Sequence, residues 1–530
     1  MHTIEIILGL LVAVVILISV ARRLNIAYPI LLVVGGLILS FIPGLPEVEL
    51  EPELVFVLFL PPLLQAGAFF TSLRDFRANL RPITLLAVGL PLFTIAFVAV
   101  VAHISIPGLT WAAAFTLGAI VAPPDAVAVM AVAAQLHLPR RIVTLLEGES
   151  LVNDATALVA YRLAVGAAVT GVFSIWDASL RFITTGAGGI VIGLIVGWCA
   201  VWVFQRLQDP PIAISLSLLM PFAAYLPAEA LGLSGVLAVV TAGLYLGQHS
   251  SKVMSSQTRI HAFAVWEILV FLLNGIVFML IGLQMRGVLS HLAEYSLLEL
   301  IWYAALVSVA VIVARILWVF PATYLPRFFS DKIRARDPYP PVRAVTIVAW
   351  AGMRGVVSLA AALAIPLTTD TGAPFPAREL IIFMTFCVIL ATLVFQGLSL
   401  PPLIRALGLQ DDGAIEQEEA EARLRAAQAA MARIAELSAE EWVPAETLEH
   451  FSTHYEERLH VLTVRYHGVD EHEGHHDHEE DEATYQRLKR ELIDTERRTI
   501  IRLRDQGVIN DEVRRIIERE LDLEELQLKV

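Results

Sequence analysis

Thirteen apolar stretches follow one another along the first 404 residues, most of them separated by short polar loops. They lie at 4–20, 28–42, 54–70, 83–102, 111–134, 142–170, 180–204, 212–228, 234–249, 262–285, 297–325, 342–366 and 379–404. A backbone surrounded by hydrocarbon must satisfy its own N–H and C=O groups, which leaves only helices and closed barrels. Runs of roughly 17–25 residues suit helices, not the shorter alternating strands of a barrel. The expected fold is therefore an all-α polytopic membrane protein of about 13 helices. Of 530 residues only 17% are charged, against about 25% in an average soluble chain.

The charge is unevenly spread. From Gln410 to the end there are 32 acidic and 16 basic residues, whereas residues 1–409 hold 20 and 22. Two domains follow: a near-neutral membrane body at 1–409, and an acidic cytoplasmic tail at 410–530. The tail opens on "IEQEEAEARLRAAQAAMARIAEL", a strong helix former. It carries a His-rich segment at 470–482, followed by further helical blocks. That segment lacks metal-site spacing and reads as a solvated acidic loop. The tail as a whole reads as a regulatory or dimer-contacting module. No nucleic-acid partner is expected, and Cys199 and Cys387 read as small core residues. The N-terminal run places Arg22 and Arg23 after its apolar stretch, which argues against a cleavable signal.

Alternate loops carry the bases. Arg22–Arg23, Arg74/Arg77/Arg81, Arg140–Arg141, Arg206, Lys252/Arg259 and Arg327/Lys332/Arg334/Arg336 should all be cytoplasmic. The N-terminus is then outside and, after an odd number of spans, the tail is inside.

Against this background the polar residues at mid-depth stand out, because an ionisable group there is costly and marks function. In "EGESLVNDATALV", Asp154 lies about 18 Å along the helix from Ile142. Glu147, Ser150 and Asp154 share one face; Glu149 and Asn153 form a neighbouring stripe. In "FTLGAIVAPPDAVAVMAV", Pro123 and Pro124 should break the helix. Asp125 then opens the second half-helix, whose free N–H groups favour a negative charge. In "VTIVAWAGMRGVVSLAAALAIP", Gly352 and Gly355 flank Arg354. Two interrupted helices seven spans apart run in opposite directions, as an inverted-repeat transporter requires. Carboxylates at such a place can hold either a proton or a hard cation, and that competition suffices for exchange. Arg354 should compensate a nearby carboxylate, with Glu149 the expected partner.

Four motifs in order resemble those of the monovalent cation:proton antiporters, the sodium/proton exchanger family in its bacterial NhaP-like branch. They are "FLPPLLQAGAFF…LRDFRANLRPI", "APPDAVAV", "LLEGESLVNDATALV" and "GMRGVVSLAAALAIP". The resemblance spans about 1–405. It implies a homodimer with inverted repeats, two unwound crossover helices and a moving ion-binding core. It implies exchange of Na⁺ or Li⁺ for H⁺, electroneutral, across the cytoplasmic membrane, serving pH and sodium homeostasis. Asp154 would carry cation or proton, with Asn153 beside it in the ion-binding site and supporting an electroneutral exchange. Asp125, Ser150 and the Pro124 backbone carbonyl would line the site, and Glu149 would pair with Arg354. Two positions depart from the family pattern. Pro124 stands where many relatives have Thr, and Ala66 where many carry an acid.

A K⁺/H⁺ antiporter is the nearest alternative. A cation channel or sensor is the alternative of another class. No enzyme is expected, since no nucleophile–base set is visible; no cofactor is expected, and no metal beyond the transported ion. Glu147 is expected at the cavity mouth, and Glu267 at an interface. Asn274 should make an interhelical hydrogen bond, and Arg315 should serve packing or a lipid headgroup.

Overall fold

The computed structural model describes residues 2–409 apart from 25, 43–54, 134–137, 208, 255, 291, 293 and 294. Beyond 409 it describes 428, 431, 432, 434, 435, 452, 453, 456, 459 and 523. The tail's helical blocks, its His-rich segment 470–482 and the acidic loop 43–53 lie outside these residues. The chain divides into two compact units, Met1–Asp412 and Gly413–Val530.

Among its described residues the regular elements of the first unit are helices, with one isolated bridge between Thr368 and Pro374. In chain order its helices are α1 (His2–Leu24), α2 (Tyr28–Ser40), α3 (Leu60–Phe70), α4 (Leu73–Ala78), α5 (Leu80–Thr84), α6 (Leu90–Ser105) and α7 (Trp111–Val121). Next come α8 (Ala126–Ala133), α9 (Arg140–Thr170), α10 (Ile175–Phe204), α11 (Pro210–Ala230), α12 (Gly235–Val253) and α13 (Ser256–Leu283). The last are α14 (Met285–Ser290), α15 (Leu297–Phe329), α16 (Asp331–Arg336), α17 (Val342–Trp350), α18 (Val356–Leu363), α19 (Arg378–Ala391) and α20 (Gly397–Leu407). Single π-helical turns lead into α3 at Val55–Phe59 and join flanking helices at Leu85–Gly89 and Thr392–Gln396.

Among the described residues, six helical stretches are long and apolar enough to cross a bilayer: Leu80–Ser105, Ile175–Phe204, Pro210–Ala230, Thr258–Leu289, Leu297–Phe329 and Arg378–Leu407. They differ in what surrounds them. The last is mostly buried, whereas Ile175–Phe204 is largely exposed. Its exposed Trp176 lies near one end and Trp198 and Trp202 near the other. Amphipathic rings placed this way suit the two headgroup levels of a bilayer.

Shorter helices rely on close neighbours. α2 has 13 residues, about 20 Å of rise, and packs along α13. A side chain at Gly36 would overlap the Met279 carbonyl, and one at Gly282 would overlap the Val33 carbonyl. Small residues let the two backbones approach, which is how helices gain packing energy where burial from water is not the driving force.

Three of the basic clusters expected to share one side meet on one carboxylate. Asp337 is 2.6 Å from Arg141, 2.5 Å from Arg327 and 3.7 Å from Arg81. Nearby in sequence, Arg140 pairs with Asp75 at 2.7 Å. These contacts tie the first turn of α9 to the ends of α5 and α15. The two cysteines are free thiols; Cys387 is half-buried, but Cys199 is exposed on α10 and is not the core residue expected of it.

Candidate functional site

Two helices are interrupted, and the interruptions are built differently. α7 stops at Val121 and α8 starts at Ala126, with Pro123 and Pro124 between them. Neither proline has an N–H to continue the ladder. Asp125 then takes over the start of α8: its carboxylate accepts from the Val127 N–H at 2.9 Å. The second gap runs from Ala351 to Gly355, between α17 and α18. Here glycines on both sides of Arg354 release the chain from the helix.

A broken helix leaves backbone donors and acceptors without partners, and burial makes that expensive. The two gaps satisfy each other in part, and the segment at Thr392–Gln396 supplies further partners. The Asp125 N–H donates to the Met353 carbonyl at 2.7 Å. Arg354 Nε donates to the Val121 carbonyl at 3.0 Å, and its Nη1 donates to the Gly352 carbonyl. The Arg354 N–H donates to Thr392 Oγ1 at 3.1 Å, and Gln396 Nε2 donates to the Trp350 carbonyl at 2.9 Å. Gly355 is required by contact: a Cβ there would overlap the Asp125 carboxylate.

The interlocked gaps form one wall of a cavity of about 360 Å³. α9 forms another, and turns Glu147, Ser150, Leu151 and Asp154 into it. That is the stripe expected from spacings of three and four. Pro123, Pro124, Asp125 and Gly355 line it from the gaps. Asp154 is buried, 6% exposed, so its only opening is toward this space. Tyr28 of α2 and Asn274 of α13 also line the cavity and hydrogen-bond to each other, the interhelical role expected for Asn274.

The structure therefore brings Asp154, Asp125, Ser150 and Pro124 together. Asn153 is not with them. It is fully buried off the cavity, and neither amide atom has a protein partner. Ala66 is also elsewhere: it lines a smaller cavity on the opposite side of α3 from Gly67.

The expected pairing of Glu149 with Arg354 is corrected. Glu149 is held by Arg315 of α15, in a two-pronged contact of 2.5 Å (Nη1 to Oε1) and 2.8 Å (Nη2 to Oε2). Both side chains are at most 1% exposed. Arg315 Nε donates to the Val348 carbonyl at 3.0 Å, so the whole fork is engaged. Arg354 has no such pairing, because the carbonyls freed by the two gaps occupy its guanidinium. The reading of Arg315 as a packing or headgroup residue is corrected with it. The signal was its depth. Arg315 lies 18 residues from the start of α15 and 14 from its end, more than 20 Å from either at 1.5 Å per residue. No arginine side chain reaches the surface from there. Ser358, the third residue of α18, also lines the cavity; as a lone serine in an apolar run it carried no signal.

The comparisons agree with this architecture. Residues 9–406 match the family model described as sodium/hydrogen exchanger, transmembrane. An uncharacterized Na⁺/H⁺ exchanger of Mycobacterium tuberculosis is 37% identical over 527 residues, covering 99% of this chain and 96% of its own. A sodium, potassium, lithium and rubidium/H⁺ antiporter of Bacillus subtilis is 36% identical over 390 residues, 71% of this chain and 57% of that one. The sodium proton antiporter MjNhaP1 of Methanocaldococcus jannaschii superposes with a TM-score of 0.61 at 21% identity, over 77% of this chain and 99% of that one. That likeness speaks for the fold. A matching model over three quarters of the chain, with a relative alike from end to end, settles the descent: the chain belongs to the sodium/hydrogen exchanger family.

Proposed function

We propose that the protein is a secondary antiporter exchanging Na⁺ or Li⁺ for H⁺, electroneutrally, across the cytoplasmic membrane. The observation that carries this reading is the pairing of two carboxylates, Asp154 and Asp125, on one cavity walled in part by broken helices. Asp154 is the shared seat of cation and proton. Asp125, Ser150 and the Pro124 carbonyl supply further oxygens, the ligand class that hard cations take. Glu147 faces the same space seven residues toward the start of α9 and receives ions at the mouth. Asn153 acts by what it lacks: it adds no second titrating group beside Asp154, which favours one cation for one proton. Glu149 and Arg315 hold α9 to α15 and take no ion. The two interrupted helices are the crossover pair of an inverted repeat. The protein works as a homodimer with its N-terminus outside and its tail in the cytoplasm, and it serves pH and sodium homeostasis.

Proteoliposomes test this. Adding Na⁺ or Li⁺ outside should drive proton movement that reverses when the pH gradient is inverted, and that is insensitive to a clamped membrane potential. Cation flux indifferent to the pH gradient would indicate a channel instead. A second reading, K⁺/H⁺ exchange, is favoured by the printed range of the Bacillus subtilis relative, which names potassium and rubidium. The same assay with K⁺ decides it.

Gly355→Ala gives a local check. The new methyl group cannot coexist with the Asp125 carboxylate where it stands. We expect the half-saturating cation concentration to rise about tenfold, and the melting temperature to fall, since the added methyl group overpacks the site. Kinetics like those of the parent would mean that Asp125 is not needed in that position.

A further inference from the structure

Serines and threonines inside a helix usually return their hydroxyl to the carbonyl four residues back. This chain follows the habit closely. Thr116, Thr144, Thr156, Ser308, Thr385 and Thr392 each donate to the residue four before. Ser358 breaks it. Its fourth predecessor is Arg354, which lies in the non-helical gap before α18. The usual acceptor is therefore not presented to it, and the hydroxyl has no hydrogen-bond partner in the protein although the residue is 1% exposed. A buried hydroxyl left unpaired carries its desolvation cost with no compensating bond. Among the described residues, Thr94 and Tyr161 also have buried hydroxyls without a partner, but neither lines the carboxylate cavity. Ser358 does.

Its place in the wall is specific. Ser358 stands three residues after Gly355, whose bare Cα lies against Asp125. Ser150 faces the cavity from α9, four residues before Asp154. The cavity is thus lined by two acidic residues and one serine from α9, and by one acidic residue and one serine from around the gaps. A hard cation stripped of water needs several oxygens, and selectivity follows from their number and spacing. Asn153, the neutral oxygen source expected beside Asp154, is turned off the cavity.

We propose that Ser358 is a direct ligand of the transported cation, and that its hydroxyl takes the place in the coordination shell that sequence reasoning gave to Asn153. This rests on the reading of the cavity as the exchange site. A smaller cation draws its oxygens closer and pays more for each one lost. The Ser358 hydroxyl therefore weights the site toward Li⁺ and Na⁺ over K⁺.

The experiment is cation-induced proton movement in proteoliposomes with NaCl, LiCl and KCl, for the parent, Ser358→Ala, Ser358→Thr, Ser358→Cys and Asp154→Asn. Ser358→Ala should raise the half-saturating concentration of Na⁺ and Li⁺ about tenfold and that of K⁺ about threefold or less, with the maximal rate within about twofold. Ser358→Thr, which keeps a hydroxyl, should stay within about twofold of the parent, and Ser358→Cys, with a soft sulfur, should behave like Ser358→Ala. Should Ser358→Ala be too poorly folded to assay, the Thr and Cys variants carry the same contrast. Equal half-saturating concentrations for parent, Ala and Cys variants, or a loss of rate alone, would overturn the assignment. If Asp154→Asn is silent while Ser358→Ala matches the parent, only the Ser358 assignment falls. If Asp154→Asn exchanges like the parent, the reading of the cavity falls with it.

Discussion

Asp154→Asn is expected to reduce cation-coupled proton movement to below about one hundredth of the parent rate, while the detergent-solubilised protein melts at or above the parent temperature. The change is nearly isosteric and removes a charge from a residue 6% exposed. An ionised group at such a site pays a desolvation cost that a neutral amide avoids, so the fold has nothing to lose. Transport loses the one group assigned to hold cation and proton in turn. An amide can still offer a carbonyl oxygen to a cation, so residual Na⁺ binding would not by itself contradict this. Proton coupling must go. Exchange at about half the parent rate or more would reject Asp154 as the carrier.

The second large effect is on stability. Arg315→Ala should cost on the order of 3–5 kcal/mol, because it strands the Glu149 carboxylate in a site only 1% exposed. Glu149→Gln should cost less, since an amide can still accept from the guanidinium. The double variant Glu149→Gln/Arg315→Ala should be clearly more stable than the sum of the single losses implies. Glu149→Gln combined with Arg354→Ala should show weaker coupling than the Arg315 pair, because Arg354 donates to the Val121 and Gly352 carbonyls and only its charge reaches Glu149. Thermal melts of the three singles and two doubles, read as double-mutant cycles, decide between the partners. Strong coupling to Arg354 and weak coupling to Arg315 would contradict the geometry described above.

How much of this was legible in the sequence depends on which physical rule was in play. Rules that act along one chain segment were readable. Pro123 and Pro124 stop α7 because no proline can donate to the ladder. Spacings of three and four place Glu147, Ser150 and Asp154 on one face whatever the fold. Rules that need a neighbour were not. Depth alone told that Glu149 required a cation, but two arginines of similar depth were available, and only the packing of α9 on α15 selects Arg315. Arg354 looked like the partner because it sits in the broken helix, yet the break itself supplies the acceptors that occupy it. Asn153 follows the same logic: adjacency to Asp154 suggested a shared site, while a helix turns adjacent residues about 100° apart. Ser358 was hidden because its hydroxyl is unusual only through the gap upstream, a property of backbone geometry. The acid expected near Ala66 could be judged absent from the letters alone. That Ala66 faces a different cavity could not.

The two interrupted helices deserve to be read as machinery. Hydrogen bonds run from each gap to the other, from Asp125 N–H to Met353 and from Arg354 to Val121. A working cycle that loosened one gap alone would have to strip both links at once, each an orphaned polar group in a dry setting. The cheaper course keeps the gaps clamped together as one stiff cartridge, carrying Asp125 and Ser358 as a fixed half-shell. Whatever changes between loading and release must then happen where that cartridge faces its neighbours: along Leu64 and Gly67 of α3, and along Val270, Asn274 and Phe278 of α13. These surfaces are mostly apolar and bear no ion pair on the cavity side, so they can slide without paying for a charge. The rigid part of the site is thus bonded and the sliding part greased, a division of labour written into which helices were broken and which were left whole.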